Sequence, residues 1–321
     1  SKMRTFGAIL RVLAAVAAIA LARPAPADAG IVVVLNSGDA TISILDQATF
    51  QELRRFPALR EPHHLVLSPD RKTLIVGDSG GNELLLLDPA TGELQRRMRL
   101  SNPYHMAFSP DGKRFVVTSL RRDQVDVYDA SNFTLLKRFA MKDMPSHLAF
   151  SPDSRRVFVT LQGTRDIAAI DLERLEVVFR AQVGRQPAGI AWTPANYLLV
   201  GIMGRDHVAV VNPDDGSVVR TIPTGRGAHA IFPSPDGKQF YVTNRVSDTI
   251  TVIDGTTLQV VRTLVAPNGA DCVAFSPDGK LLWFTRRWAQ KVDVIDLETG
   301  ETVHSIPVGR SPHGLYVHAD P

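Results

Sequence analysis

The chain has 321 residues, 44% of them hydrophobic and 21% charged, which supports a large buried core and excludes a disordered chain. Its 36 basic against 33 acidic residues are too evenly balanced to argue for nucleic acid. A single cysteine, Cys272, excludes an intramolecular disulfide and a cysteine-rich metal cluster.

In chain order, the first segment reads as a leader rather than as fold. Met3, Arg4 and Arg11 make a basic start, Val12 to Ala22 is a run of small and aliphatic residues, and Ala27-Asp28-Ala29 supplies a small-x-small cleavage pattern. This is the layout of a signal peptide over residues 1–29, cut before Gly30, and it implies a periplasmic or secreted protein. Ser1 and Lys2, ahead of Met3, read as an appended remnant. The apolar run is too short for a membrane span, and no later segment reaches the roughly 18 apolar residues that a span needs.

Residues 30–321 read as one domain. Ile31-Val32-Val33-Val34 is a β-branched run, the signature of a strand. After it one phrase recurs: Ser-Pro-Asp at Ser68, Ser109, Ser151, Ser234 and Ser276, with a degenerate Thr-Pro at Thr193. Successive starts lie 41 or 42 residues apart, a period that signals repeated supersecondary units. Within each unit a short apolar run ends at the Ser-Pro-Asp turn. A second follows, such as Phe240-Tyr241-Val242-Thr243, then a third that closes on Asp, such as Ile250-Thr251-Val252-Ile253-Asp254, and then a last strand. Four short strands per repeat make a propeller blade. The fourth unit is irregular: Thr193-Pro194-Ala195-Asn196-Tyr197 is one residue short and lacks the Asp-Gly turn.

Six complete units begin at Pro62, Pro103, Pro145, Pro187, Ala228 and Ala270. The chain then ends on a lone first strand, Pro312 to Val317, and it begins on what matches a second strand, with Asn36 and Asp46 aligned to Asn244 and Asp254. The expected fold is therefore all-β: a seven-bladed β-propeller, four antiparallel strands per blade, its ring closed by a blade shared between the N- and C-termini.

Tyr241-Val242-Thr243-Asn244, the Ser-Pro-Asp-Gly-Lys turns and the strands of Val-x-Val-Ile-Asp type resemble the YVTN-repeat β-propellers over the whole chain after residue 29. The resemblance extends in fold to the haem-d1 propellers of periplasmic nitrite reductases and to seven-bladed lactonases. It implies a non-covalent haem or a hydrolytic activity as alternatives to a pure binding role. Cys-x-x-Cys-His is absent, so covalent haem attachment is excluded. So are the Gly-x-Ser-x-Gly elbow, the P-loop and His-Glu-x-x-His, and no acid/base pair stands out.

In an up-and-down blade, the loops entering the inner strand share one face with the turns between second and third strands. That first face carries Arg121, Arg122, Arg165, Arg205, Arg245, Arg286, Arg287 and Trp288 on the turns, with Arg60, Arg185, Arg226 and Arg310 on the entering loops. Guanidinium groups around a funnel suit an anionic small molecule or a periplasmic protein partner. The bland alternative pairs them with Asp123, Asp166, Asp206 and Asp248 on the same turns. The other face, with its Ser-Pro-Asp turns, reads as structural.

Two positions of the inner strand carry a second signal. Two residues after the opening Pro or Ala, successive blades place His64, His105, His147, Gly189, Ala230, Cys272 and Gly314; one residue after it, they place His63, Tyr104, Ser146, Ala188, His229, Asp271 and His313. His64, His105 and His147 on consecutive blades are a candidate site for Zn, Cu or Fe, with His63, His229, Cys272 and His313 as further candidates. The alternative is strand-capping histidines inherited by duplication. Cys272 stands across the ring from the triad and reads as a buried small hydrophobe. Gly189 and Gly314 leave room in the channel on their side. A monomer and a ligand- or partner-binding role are expected, with metal or haem binding and then lactone hydrolysis as alternatives.

Overall fold

The computed structural model describes residues 30–320, and the leader expected over 1–29 lies outside them. Among the described residues, seven four-stranded antiparallel sheets are ordered inner to outer, and no helix occurs. The fifth blade is representative: Ala228–Pro233, Gln239–Asn244, Thr249–Asp254 and Val260–Val265. Its middle strands are apolar on both faces because each sheet is packed between two neighbours. Its outer strand is mostly exposed. Seven apolar clusters fill the gaps between successive blades. Trp283 of the sixth blade, for example, packs with Val32 and Val34 of the seventh.

The closing blade is built from both ends of the chain. Pro312–Val317 pairs with Ile31–Asn36, which continues into Thr41–Asp46 and Glu52–Pro57. Asn36 and Asn244, aligned by the repeat, do the same work. The amide of Asn36 donates to Thr41 and Ser43, and that of Asn244 to Thr249 and Thr251.

The Ser-Pro-Asp turns are structural. In each, the Ser hydroxyl donates to the Asp carboxylate two residues on, at 2.6 Å for Ser234 and Asp236, and the Asp accepts the following Lys or Arg backbone N–H. The fourth blade closes its shorter turn from Thr193 to Tyr197 instead.

The threonine of the repeat sets the central ring. Thr118, Thr160 and Thr285 each accept the backbone N–H of the second ring position on their own blade. Each also donates to the carbonyl of the first ring position on the next, at 2.6, 2.7 and 3.0 Å. A register shift at the start of the inner strand, as between Pro145 and Leu148, re-aims its first side chains. Two successive residues per blade thereby reach the channel as two layers.

Candidate functional site

The two layers close the channel and separate two cavities. On the first face a funnel of about 260 Å³ is lined by His63, Tyr104, His229, Arg245, Arg287 and Arg121, among others. On the opposite face a cavity of about 500 Å³ has His64, His105 and His147 at its inner end and Phe150, Trp192 and Ile231 among its walls.

The triad is compact. Ring centroids are 4.4 Å apart for His64 and His105, 5.0 Å for His105 and His147, and 5.6 Å for His64 and His147. One ring nitrogen from each lies within 4.8 Å of the other two. His64 Nε2, His105 Nδ1 and His147 Nε2 are buried and find no hydrogen-bond partner among the described residues. The tautomer of His147 is fixed by its neighbours. Ser146 gives its proton to Gln162 Oε1 at 2.9 Å and so accepts from His147 Nδ1 at 2.8 Å, leaving Nε2 as a bare lone pair. Burial first, and the neighbouring imidazoles second, hold His64 and His147 well below the ordinary histidine range, and His105 is brought down to about 3. The three rings are neutral, the form that ligates metal.

The first layer is built around a buried carboxylate. Asp271 Oδ2 is 2.8 Å from Arg245, 3.4 Å from Arg287 and 3.1 Å from His313 Nε2. Burial alone would raise Asp271, but the guanidinium of Arg245 leads the groups that overcome it and hold the carboxyl well below the usual carboxylate range. His63 stacks on His313 at 3.6 Å and stands 4.9 Å from Tyr104, whose hydroxyl burial pushes up to about 12.

The family can be read from the whole chain: a model of the YNCE-like beta-propellers matches residues 3–320. The chain belongs to that family. No curated protein matches it in sequence. Among solved structures it is similar to a functionally unknown protein from Desulfotomaculum acetoxidans, with a TM-score of 0.78, 14% identity, and 91% of this chain and 100% of that chain covered. It is also similar to the dihydro-heme d1 dehydrogenase NirN in complex with DHE, with a TM-score of 0.68, 20% identity, and 90% and 75% covered. A third is Kuenenia stuttgartiensis hydrazine synthase, with a TM-score of 0.67, 21% identity, and 79% and 88% covered. At these identities the likeness shows fold alone.

Within this YNCE-like propeller the expected arginine ring divides. Arg121, Arg245 and Arg287 line the funnel. Arg122, Arg165 and Arg205 are exposed and do not line it, and Arg60, Arg185, Arg226 and Arg310 are exposed on the entering loops. Arg286 is turned to Asp293 and Asn268. Trp288 is 60% exposed and lies over Gly269 rather than over the funnel. The turn aspartates are not the arginines' common partners: Asp166 pairs with Arg180, while Asp123 and Asp248 accept backbone N–H groups.

One further expectation changes. Gly189 and Gly314 do not widen the channel: a Cβ on Gly189 would stand 2.5 Å from the His229 carbonyl, and one on Gly314 would stand 2.7 Å from Leu35. The glycines admit the neighbouring chain, not a ligand. Cys272 is packed into the cluster between sixth and seventh blades, with its sulfur 3.6 Å from His313 Nδ1 and its thiol pushed well up by burial. Asp271 is the residue that sequence reasoning passed over. Its signal was an acidic residue on an inner strand, away from the turns that hold nearly all the others.

Proposed function

We propose that this YNCE-like propeller is an exported binding protein whose channel holds a transition-metal ion on His64, His105 and His147. The observation that carries the reading is the convergence of three buried imidazole nitrogens without hydrogen-bond partners among the described residues. Three neutral imidazoles with an open fourth position suit Zn, Cu or Fe. His147 is oriented by Ser146 and Gln162, the kind of outer contact that fixes a ligand tautomer. The leader pattern over residues 1–29 supports export. Metal content of protein isolated from a periplasm, and zinc affinity after chelator treatment, test this. The expected result is near-stoichiometric metal and at least a tenfold weaker affinity in His105→Ala, a loss of the size that removing even outer-shell partners brings. Zinc binding unchanged in His105→Ala and His147→Ala would overturn it.

A second reading is favoured by Arg245 and Arg287 at the base of the first-face funnel: an anionic small molecule, or an acidic segment of a protein partner, held there. A lactonase-like activity has less support, because the buried carboxylate in the channel, Asp271, is engaged by both arginines rather than free to act as a base.

A further inference from the structure

We propose that His229, Asp271 and His313 form a second divalent-metal site, sharing no ligand with the His64–His105–His147 triad and lying on the funnel side of the channel. The three residues come from successive blades, the fifth, sixth and seventh, and their side chains are at most 1% exposed. One donor atom from each lies within 4.8 Å of the others.

The case rests on where the protons are. His313 Nδ1 donates to the His63 carbonyl at 2.9 Å, so in the neutral ring Nε2 is a lone pair. That lone pair stands 3.1 Å from Asp271 Oδ2, two acceptors face to face without a hydrogen bond between them. His229 Nδ1 points at Met203 Sδ, 3.3 Å away, and its Nε2 accepts from Arg245 at 2.8 Å. Asp271 Oδ1 has no hydrogen-bond partner among the described residues. Two imidazole nitrogens and a carboxylate therefore converge on one spot, where His313 Nε2 and Asp271 Oδ1 find no hydrogen-bond partner among the described residues and His229 Nε2 is met by Arg245.

A cation is what satisfies such a set. His229 Nε2 and Asp271 Oδ1 are 3.4 Å apart. Metal bonds of about 2.0–2.1 Å in a tetrahedron put neighbouring ligand atoms roughly 3.3–3.4 Å apart. Two imidazoles and one carboxylate is a recurrent set for zinc and for ferrous iron. Arg245 now partly fills the role, its guanidinium 2.8 Å from both His229 Nε2 and Asp271 Oδ2. On metal binding, Arg245 leaves His229 but keeps Oδ2 together with Arg287. Asp271 would then serve the ion while its Oδ2 kept the arginines. Of the three ligands His229 lines the funnel, together with Arg245 and Arg287, so an oxyanion entering there would meet the arginines beside the site.

The test is anomalous diffraction at the zinc edge from crystals of the zinc-loaded full chain. The expected result is a peak at bonding distance from His229, Asp271 and His313. No peak there under saturating zinc overturns this site whatever the triad holds. A peak here without one at the triad supports it and overturns the reading of the triad. In solution the wild-type chain should bind two zinc equivalents, and Asp271→Asn and His147→Gln one each. Should Asp271→Asn fail to fold, His229→Gln gives the same count. Two equivalents retained in a folded variant of Asp271 or His229 would overturn the proposal.

Discussion

Deleting residues 311–321 should unfold the ring. The deletion removes the inner strand of the closing blade, whose Val317, Tyr316 and Leu315 pair with Val32, Val33 and Val34. Leu315 and Val317 are buried, at 7% and 8% exposure, and their burial contributes roughly 3–6 kcal/mol. The ladder and flanking hydrogen bonds, including Thr285 to the His313 carbonyl and Gln47 to the His318 carbonyl, add on the order of 1 kcal/mol each. The loss approaches about 10 kcal/mol, against a typical total stability of about 5–15 kcal/mol. It also leaves Ile31–Asn36, buried along its length, as an exposed apolar edge. Urea unfolding followed by circular dichroism, with light scattering for aggregation, reads the outcome. The expected result is no cooperative transition and association of the truncated chain. A cooperative transition at the wild-type midpoint would refute closure by a shared blade.

Gly189→Ala should cost about 1–3 kcal/mol, because its new Cβ meets backbone atoms of the fifth blade at 2.5 and 2.7 Å, which cannot move as a flexible side chain would. An unchanged urea midpoint would mean that the channel does have room on that side. In the metal-free protein, acid should act well before the carboxylates titrate. His63, His64 and His147 are held well below 6.5, His105 at about 3 and His229 at about 4. The unfolded chain, with ordinary histidines near 6.5, takes up protons that the folded ring refuses. Stability should be level above about pH 7 and fall as the pH drops through 6.5 toward 4, by roughly 2 kcal/mol at pH 5 for each of His105 and His229. The depressed carboxyl of Asp271 acts the other way round, supplying stability above the unfolded value of 3.8, so it does not alter this window. Urea midpoints equal at pH 8 and pH 5 would contradict neutral buried rings.

The blade pattern was open to sequence reading because it depends on local chemistry that recurs from blade to blade: Ser with Asp in one turn in five of them, Thr or Asn at the end of the second strand in most, β-branched runs between. The direction of the channel residues depends on something less local. A register shift at the start of each inner strand decides which of two successive side chains joins which layer, and nothing in the spacing of His63 and His64 reveals that they serve opposite cavities. The arginines show the same limit. Their turns were placed on the correct face, but whether a side chain reaches the funnel, as Arg245 does, or turns along its own blade, as Arg286 does, depends on partners such as Asp271 and Asp293.

The histidines could still be decoration copied from blade to blade, and their partners argue otherwise. A duplicated cap keeps the same contact in every copy. Here the Nδ1 of His63 faces the Ser37 hydroxyl, that of His147 faces Ser146, and that of His313 faces the carbonyl of His63. Each of these rings is held by a different group. Capping should also leave both ring nitrogens satisfied, whereas His64, His105 and His147 each leave one buried nitrogen without a partner among the described residues. A buried nitrogen that nothing else reaches costs about 1–3 kcal/mol. A metal ion on the three nitrogens removes that penalty at a stroke. Zinc at a hundred times its Kd would add about 2.7 kcal/mol to the folded state, so a shift of the thermal midpoint by zinc, absent in His105→Ala, is what separates a ligand set from an inherited ornament.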